Sequence, residues 1–455
     1  MRRIIIVGGG VSGHLVLINL LRNNIQEDTE IVLVEKRGPD WLGLAYSTEQ
    51  SNHFLNVPAG NMSAFSDNRD HFADWLRKGH HKYTATSFVP RRLYRKYIFD
   101  TLRALMENKG RCCKVKFIQE EAVDLDMQNN ALLFNESGSL RFNALILAIG
   151  GSSQGYLPLA DTAYITAGNY YHSSWEDHLY EQLPKMDSVL IIGTGLTMVD
   201  TLSRLYSMGH AGSVYALSRH GLLPSVHQET ISYPNRWKEL EFLDNVPGIY
   251  SIIKKHIRAA REKGFDWRDV MDSLRPYTSL IWRQLPIQEK KRFMVHLRHY
   301  WDRARHRMPR DSMEVIEQMK ERGQLKIIAG KITGISTIPG AGSEVLYKAR
   351  GEQETYSLKA GVIINCTGPA SNYADVNNPF VKNLMSAGIL VPDELNLGIT
   401  CSPDGLVIHK DGTVSECLFI IGAPAKGVLW ETTAVPEIRI QAERLSQRIG
   451  QLVAY

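Results

Sequence analysis

Apolar residues along this chain gather into short runs that stop on glycine. Ile4-Ile5-Ile6-Val7 is β-branched throughout, predicts a buried strand, and ends at Gly8-Gly9-Gly10. Residues 14–22 then change to helical spacing, with Leu15, Leu17, Ile18 and Leu21 apolar, before a second strand, Ile31-Val32-Leu33-Val34, that ends in Glu35. The pattern returns when Val189-Leu190-Ile191-Ile192 runs into Gly193 and Val214-Tyr215-Ala216-Leu217 ends in Ser218-Arg219-His220. Three more apolar strands close on glycine: residues 144–150, 362–368 and 418–422. Pro436 suits the first turn of a last helix through Ile438, Ala442 and Leu445. Strands alternating with helices in this way predict an α/β fold of two Rossmann-like units.

Composition narrows the class. With 455 residues, 44% hydrophobic and 22% charged, the chain is an ordinary globular protein of two or three domains, which excludes disorder, collagen and a disulfide scaffold. A net charge of +5 is too mild to call for nucleic acid. The five cysteines include no C-x-x-C pair, which argues for a reducing compartment and against a dithiol reductase or a zinc ribbon. After Met1-Arg2-Arg3 the apolar run is too short for a signal peptide, and no stretch reaches the ~18 apolar residues of a membrane span. The expectation is a cytoplasmic protein with neither membrane nor nucleic acid as partner; nothing in the sequence speaks to its oligomeric state. His296 and His299 fall i,i+3 on a predicted helix, but no acid or cysteine accompanies them, so no metal site is expected.

Chemistry concentrates at the two glycine turns. Gly8, Gly10 and Gly13 have G-x-G-x-x-G spacing between strand and helix, followed by Val11 and Ser12 in the first turn. Glycines there allow a tight turn, close approach of a pyrophosphate and close helix packing, and the helix N-terminus favours the phosphates. Glu35, 22 residues after Gly13, suits ribose hydroxyls and would repel a 2′-phosphate. In the second turn, Gly193-Thr194-Gly195-Leu196-Thr197-Met198 keeps two glycines, and Met198 replaces the third, so the helix is expected to sit slightly farther from its strand. Where the first unit has Glu35, the second has Ser218 and then Arg219 and His220, the arrangement that accepts a 2′-phosphate. Two sites of opposite preference imply one bound redox dinucleotide and NADPH.

Further segments carry a family resemblance: Leu42-Gly43-Leu44-Ala45-Tyr46, His53-Phe54-Leu55-Asn56-Val57-Pro58, residues 193–200, residues 301–309 and Leu429-Trp430-Glu431-Thr432-Thr433-Ala434-Val435-Pro436. Together they resemble the flavoproteins with two dinucleotide-binding domains, the superfamily of class B flavin monooxygenases, and within it the bacterial FAD/NAD(P)-binding proteins of the YdhS-like type. The resemblance implies FAD on the first motif, with Gly8, Gly10, Val11, Ser12, Gly13, Glu35, Lys36, Gly43, Asn56, Val57, Val123, Gly150, Gly422 and Thr433 around it. It implies NADPH on the second, held by Gly193, Thr194, Gly195, Leu196, Thr197, Ser218, Arg219 and His220. Asn56 would lie beside the flavin ring and Gly422 near the ribityl chain. Ala423 stands where many relatives have an acid, so that contact is missing or comes from elsewhere. Residues 166–175 keep the Gly-to-His spacing of a monooxygenase linker motif, although Thr166 replaces its aromatic residue and Trp175 falls one place early. His172 is then a candidate hinge beside the nicotinamide, or a linker histidine of no special role.

The implied organisation is an FAD domain of residues 1–155 and 366–455, interrupted by an NADPH domain of 156–365. Inside the latter, a helical insertion at 246–326 carries 19 Lys/Arg against 10 Asp/Glu. It reads as a lid, a nucleic-acid patch or a solvated face. The resemblance implies an FAD- and NADPH-dependent monooxygenase that acts with dioxygen, through a flavin C4a-(hydro)peroxide, on a small amine or carbonyl substrate. An NADPH:acceptor reductase or oxidase, and a flavoprotein scaffold or redox sensor, remain open.

Overall fold

Parallel strands buried on both faces set the architecture. The computed structural model describes all residues except 24, 26–27, 108–112, 152–154, 184–186, 235–236 and 454–455; Cys112 lies outside the described residues. The first sheet has the spatial order Leu406–Ile408, Val414–Ile420, Ala144–Leu147, Arg2–Val7, Thr29–Val34, Lys114–Ile118. Its pairs are parallel except at the Leu406–Ile408 edge. Ile4 and Ile6 face one core, with Leu15 and Leu17 of helix Val11–Arg22 and Ile438 and Ala442 of helix Val435–Leu452. Ile5 and Val7 face the opposite core, with Leu125, Leu132, Phe134 and Phe380. Two covered faces explain why the run is continuously apolar rather than alternating.

The second sheet runs Thr355–Ala360, Gly342–Ala349, Leu325–Ile338, Val214–Ser218, Val189–Ile192, Val362–Asn365, Tyr170–Tyr171. The last five strands pair in parallel, and the first two extend Leu325–Ile338 as an antiparallel meander. Met198, where the glycine pattern fails, is wholly buried with Val189, Ile191 and Leu202. These are the two α/β units expected from the sequence.

Between Val214–Ser218 and Leu325–Ile338 the chain makes a helical crossover, with helices Val246–Glu262, Trp267–Ser273, Thr278–Gln284, Ile287–His296, Arg298–Arg305 and Arg310–Glu321 among the described residues. Trp237, Val270 and Leu274 form its centre. A turn at Leu297 separates His296 from His299, so the single helix expected to carry both is two. The insertion is fastened to residues 427–437. Trp282 stacks on Trp430 with ring centroids 4.6 Å apart, and its Nε1 donates to the Gly427 carbonyl at 2.8 Å. Arg305 donates twice to Glu431, at 2.8 and 2.9 Å, and lies 3.2 Å from Asp272, which also takes Arg307. Arg275 pairs with Glu437.

Burial alone would raise the Glu431 carboxyl above its ordinary 4.5, but the charge and hydrogen bonds of Arg305 outweigh it and hold it lower. A carboxylate depressed in the folded state stabilises above its unfolded pKa, and that stability is lost as pH falls through the folded value. Glu431→Ala should therefore cost about 3–5 kcal/mol at neutral pH by leaving a buried guanidinium without its main partner. In urea unfolding, the gap between the variant and the parent should narrow below pH 4.5.

Candidate dinucleotide sites

All the glycine stops of the first sheet fall at the carboxyl ends of parallel strands, in the spatial order Gly422, Gly150, Gly8, with Glu35 beyond. Two glycines are demanded by the chain itself. Gly8 has φ +107°, donates to the Val34 carbonyl at 2.8 Å, and a side chain there would overlap the Ala148 carbonyl. A side chain at Gly13 would overlap the carbonyl of Gly8, so Gly13 lets the helix lie on the turn. Gly10 differs. A Cβ there would meet nothing within 4 Å, and helix Val11–Arg22 starts on it with no side chain as cap. Open space in front of uncapped N–H groups is a fitting seat for an anion. Gly43, at φ +88°, approaches the same place; its Cβ would be 3.5 Å from Gly10 Cα.

Glu35 accepts from the Gly9 N–H at 2.8 Å and the Arg37 N–H at 3.0 Å, which aims its carboxylate at the turn. Lys36 pairs with Glu121 at 2.7 Å, two residues before Val123, whose carbonyl accepts from Asn383 at 2.9 Å. Ser12 lies against Gly422, where a Cβ would be 2.7 Å from its Oγ. The Gly422 carbonyl accepts from Thr432 at 3.0 Å, and its N–H donates to Gln441 at 3.2 Å. Thr433 is exposed; the buried Thr432 beside it holds the turn. Gly150 turns at φ +68°, and its carbonyl accepts from the Tyr373 hydroxyl at 2.5 Å. Asn56 and Val57 are partly buried on a loop held by Leu55 N–H to Val89 carbonyl (2.9 Å) and Ala59 N–H to Ser87 carbonyl (3.0 Å). Val57 packs on the same core as Val11.

The second edge repeats the first. Gly193 has φ +109°, donates to the Leu217 carbonyl at 2.8 Å, and its Cβ would lie 2.6 Å from the Cys366 carbonyl. Gly195 faces open space, and helix Leu196–Ser207 begins there uncapped; Thr197 uses its carbonyl to accept from Thr201. One pair of positions is changed. Thr194 replaces Gly9 and Ser218 replaces Glu35. Thr194 donates to the Leu222 carbonyl at 2.7 Å and so accepts from Ser218, 2.8 Å away, while the Gly221 N–H donates to Ser218 at 3.0 Å. A Cβ at Gly9 would lie 2.8 Å from the Glu35 Cβ and 2.9 Å from its Cγ, so the first turn as it stands has room only for glycine. Arg219 is exposed, and His220 stacks on His299 at 3.7 Å and accepts from Arg350 at 2.6 Å. His299 and Arg350 carried no local signal; they come from 79 and 130 residues downstream.

The two edges meet at a joint. Arg91 forms a buried ion pair with Asp200 at 2.9 Å, and Asn52 donates to the Ser203 carbonyl at 2.6 Å. Trp175 lies 5.6 Å from the His53 ring and 5.7 Å from the Arg91 guanidinium. His172, at the end of Tyr170–Tyr171, packs on Tyr156 at 4.5 Å and has its Nδ1 buried without a hydrogen-bond partner. Cys366 is buried 3.3 Å from the Thr201 hydroxyl, and burial pushes its thiol up to about 12, which leaves no reactive thiolate. Among the described residues, no His/Cys/Asp/Glu group could hold a metal, and no helix is long and apolar enough to cross a membrane.

Residues 5–152 match the model of an FAD-NAD(P)-binding family. No curated protein matches the chain in sequence. Among solved structures, the chain is similar to the reduced form of ornithine hydroxylase from Pseudomonas aeruginosa, at 16% identity and TM-score 0.63 over 100% of both chains. It is also similar to L-lysine 6-monooxygenase from Pseudomonas syringae, at 15% and 0.64 over 100% of both. Thioredoxin reductase from Lactococcus lactis follows at 11% and 0.54, over 100% of this chain and 99% of that one. These likenesses establish the two-unit fold.

The glycine geometry makes a paired prediction. Gly10→Ala should keep the unfolding midpoint of the flavin-free parent, because its methyl meets no protein atom, yet lose the yellow colour of bound flavin. Gly13→Ala should lose about 1–3 kcal/mol of stability through overpacking, read by denaturant unfolding.

Proposed function

We propose that this chain is an FAD- and NADPH-dependent monooxygenase of the class B kind, acting with dioxygen on a small amine or carbonyl compound. The observation that carries the reading is the duplicated glycine turn with opposite chemistry at the ribose position, Glu35 on one edge and Ser218-Arg219 on the other. One site favours a dinucleotide with free ribose hydroxyls, the other a 2′-phosphorylated one. The whole-chain likeness to ornithine and lysine hydroxylases supports an amine over a carbonyl. A buried, unreactive Cys366 and the absence of C-x-x-C from the sequence speak against a dithiol reductase, despite the thioredoxin reductase likeness.

In this reading residues 1–155 and 366–455 hold FAD, and 156–365 hold NADPH. The first turn of helix Val11–Arg22 neutralises the FAD pyrophosphate beside Gly8, Gly10 and Gly13, and Glu35 accepts from the ribose. Lys36 and Val123 flank the adenine end, Gly43, Asn56 and Val57 the ring, and Gly150, Gly422 and Thr433 the ribityl side. Gly193, Thr194, Gly195, Leu196 and Thr197 seat the NADPH pyrophosphate, with Ser218, Arg219 and His220 at the 2′-phosphate. When bound, the two cofactors supply hydride transfer and oxygen activation. The chain would orient the rings, with Arg91–Asp200 fixing the joint between the units and His172 the candidate hinge beside the nicotinamide. Kinship with the YdhS-like proteins and a cytoplasmic location belong to the same proposal.

The test is oxygen uptake by the flavin-loaded protein with NADPH across a panel of diamines, amino acids and ketones. Oxygen consumption matched by hydroxylated or oxygen-inserted product supports the reading. Hydrogen peroxide equal to the NADPH consumed, whatever compound is added, would transfer it to an oxidase or reductase. Separately, Arg219→Ala should raise the NADPH Michaelis constant roughly tenfold, as for a lost charged hydrogen bond, and leave that for NADH nearly unchanged.

A further inference from the structure

The second edge holds a cluster that its own glycine turn does not explain. His220 follows strand Val214–Ser218, His299 lies in helix Arg298–Arg305 of the insertion, and Arg350 follows strand Gly342–Ala349. Three elements far apart in sequence deliver these groups to one point. The imidazoles of His220 and His299 are stacked face to face, 3.7 Å apart and 7° from parallel. Arg350 is anchored by its N–H to the Ala329 carbonyl at 2.9 Å, on the strand against which Gly221 packs, and its guanidinium reaches His220 Nδ1 at 2.6 Å. A guanidinium only donates, so that nitrogen is an acceptor and His220 is neutral.

Charge around the pair is one-sided. Burial, then His299, Arg350 and Arg219, hold His220 below its ordinary 6.5. Burial, then Arg350 and Arg219, do the same to His299, against a small opposing effect of Asp302. Asp302 is already engaged by Arg298 at 3.4 Å and His306 at 3.7 Å. The Tyr300 ring, 4.1 Å from His299, brings no charge. His299 Nε2 is buried with no hydrogen-bond partner. Two guanidiniums and two suppressed imidazoles, with no carboxylate bonded among them, form a site that an anion would relieve. It stands beside Ser218, at the place where the first unit puts the ribose-facing Glu35.

We propose that His299 and Arg350 complete the 2′-phosphate site, so that the helical insertion and the meander, rather than the glycine turn alone, select NADPH over NADH. This rests on the reading of the second edge as a dinucleotide site. The dianionic phosphate accepts from Arg219 and Arg350 and draws protons onto the stacked imidazoles, so binding takes up protons from solution. At pH 7.5 a phosphate monoester is already almost fully ionised, with its second pKa about 6, so the uptake belongs to the protein.

Titration calorimetry on the flavin-loaded protein tests this with NADP⁺, NAD⁺, 2′,5′-ADP, 5′-AMP and inorganic phosphate, in two buffers of different ionisation heat. The parent should bind NADP⁺ and 2′,5′-ADP with net proton uptake, and NAD⁺ and 5′-AMP more weakly and without it. Arg350→Ala and His299→Gln should each weaken NADP⁺ about tenfold or more while NAD⁺ changes less than about twofold. His220→Gln with His299→Gln should abolish the uptake. A thermal unfolding midpoint equal to the parent's shows that the Gln variants remain folded, and Arg350→Lys should recover part of the affinity. Unchanged NADP⁺/NAD⁺ selectivity in both single variants, or NADP⁺ binding without proton uptake, overturns the proposal. Binding of inorganic phosphate as tight as that of 2′,5′-ADP also overturns it, assigning the cluster to a free anion. A parent that binds neither dinucleotide overturns the reading of the second edge itself, and the inference with it.

Discussion

A helix that begins on glycine at the end of a buried strand has up to about four backbone N–H groups with no partner inside the helix. In this protein that condition is met by the α-helices that start at Val11 and at Leu196, and neither start has a side-chain cap. Much of the surrounding chain serves to keep those spots open. Gly8 and Gly193 turn the backbone in a left-handed conformation that a side chain would block against the Ala148 and Cys366 carbonyls. Gly43 brings a third segment to Gly10 without filling the space. An uncapped helix start in front of an empty glycine face is a cost to the folded chain, and an anion is what offsets it.

The same plan used twice shows how little must change to alter preference. In the first unit the Gly9 N–H orients Glu35, and a Cβ at Gly9 would crowd the glutamate's own Cβ and Cγ. In the second, the Thr194 side chain occupies that place and ties Ser218 and Leu222 together. A carboxylate at 218 would meet the Thr194 side chain as well as any phosphate. Gly9 goes with Glu35 and Thr194 with Ser218, each pair joined by a hydrogen bond.

The sequence showed this plan clearly where its cause is local. Glycine spacing, β-branched runs and the acid or its absence after the second strand are each read within about 30 residues, the span of one βαβ unit. Long-range partners left no such trace. Arg350 reaches His220 only because a meander extends the second sheet, and Arg305 reaches Glu431 across 126 residues of chain. Charge counting found the insertion basic, yet two of its arginines are not solvated: Arg305 and Arg307 lie almost buried against Glu431 and Asp272. Nor did spacing separate Thr432 from Thr433, since both precede the same helix and only packing shows which one turns inward.

The short helix Arg298–Arg305 ties these observations together. Its first turn places His299 against His220 on the second edge, and its last turn places Arg305 on Glu431, behind the Gly422 turn of the first. At about 1.5 Å of rise per residue, the two contacts are only about 9 Å apart along one rigid element. A buried ion pair is costly to half-break, because the remaining charge is left without compensation. Displacing His299 therefore cannot be absorbed by slack at Arg305; it must move the helix as a body or break the Glu431 contact. With Arg91–Asp200 joining the two units as well, the helix acts as a brace between the two glycine edges, and Arg275, Arg305 and Arg307 serve it as structural members rather than as charged surface.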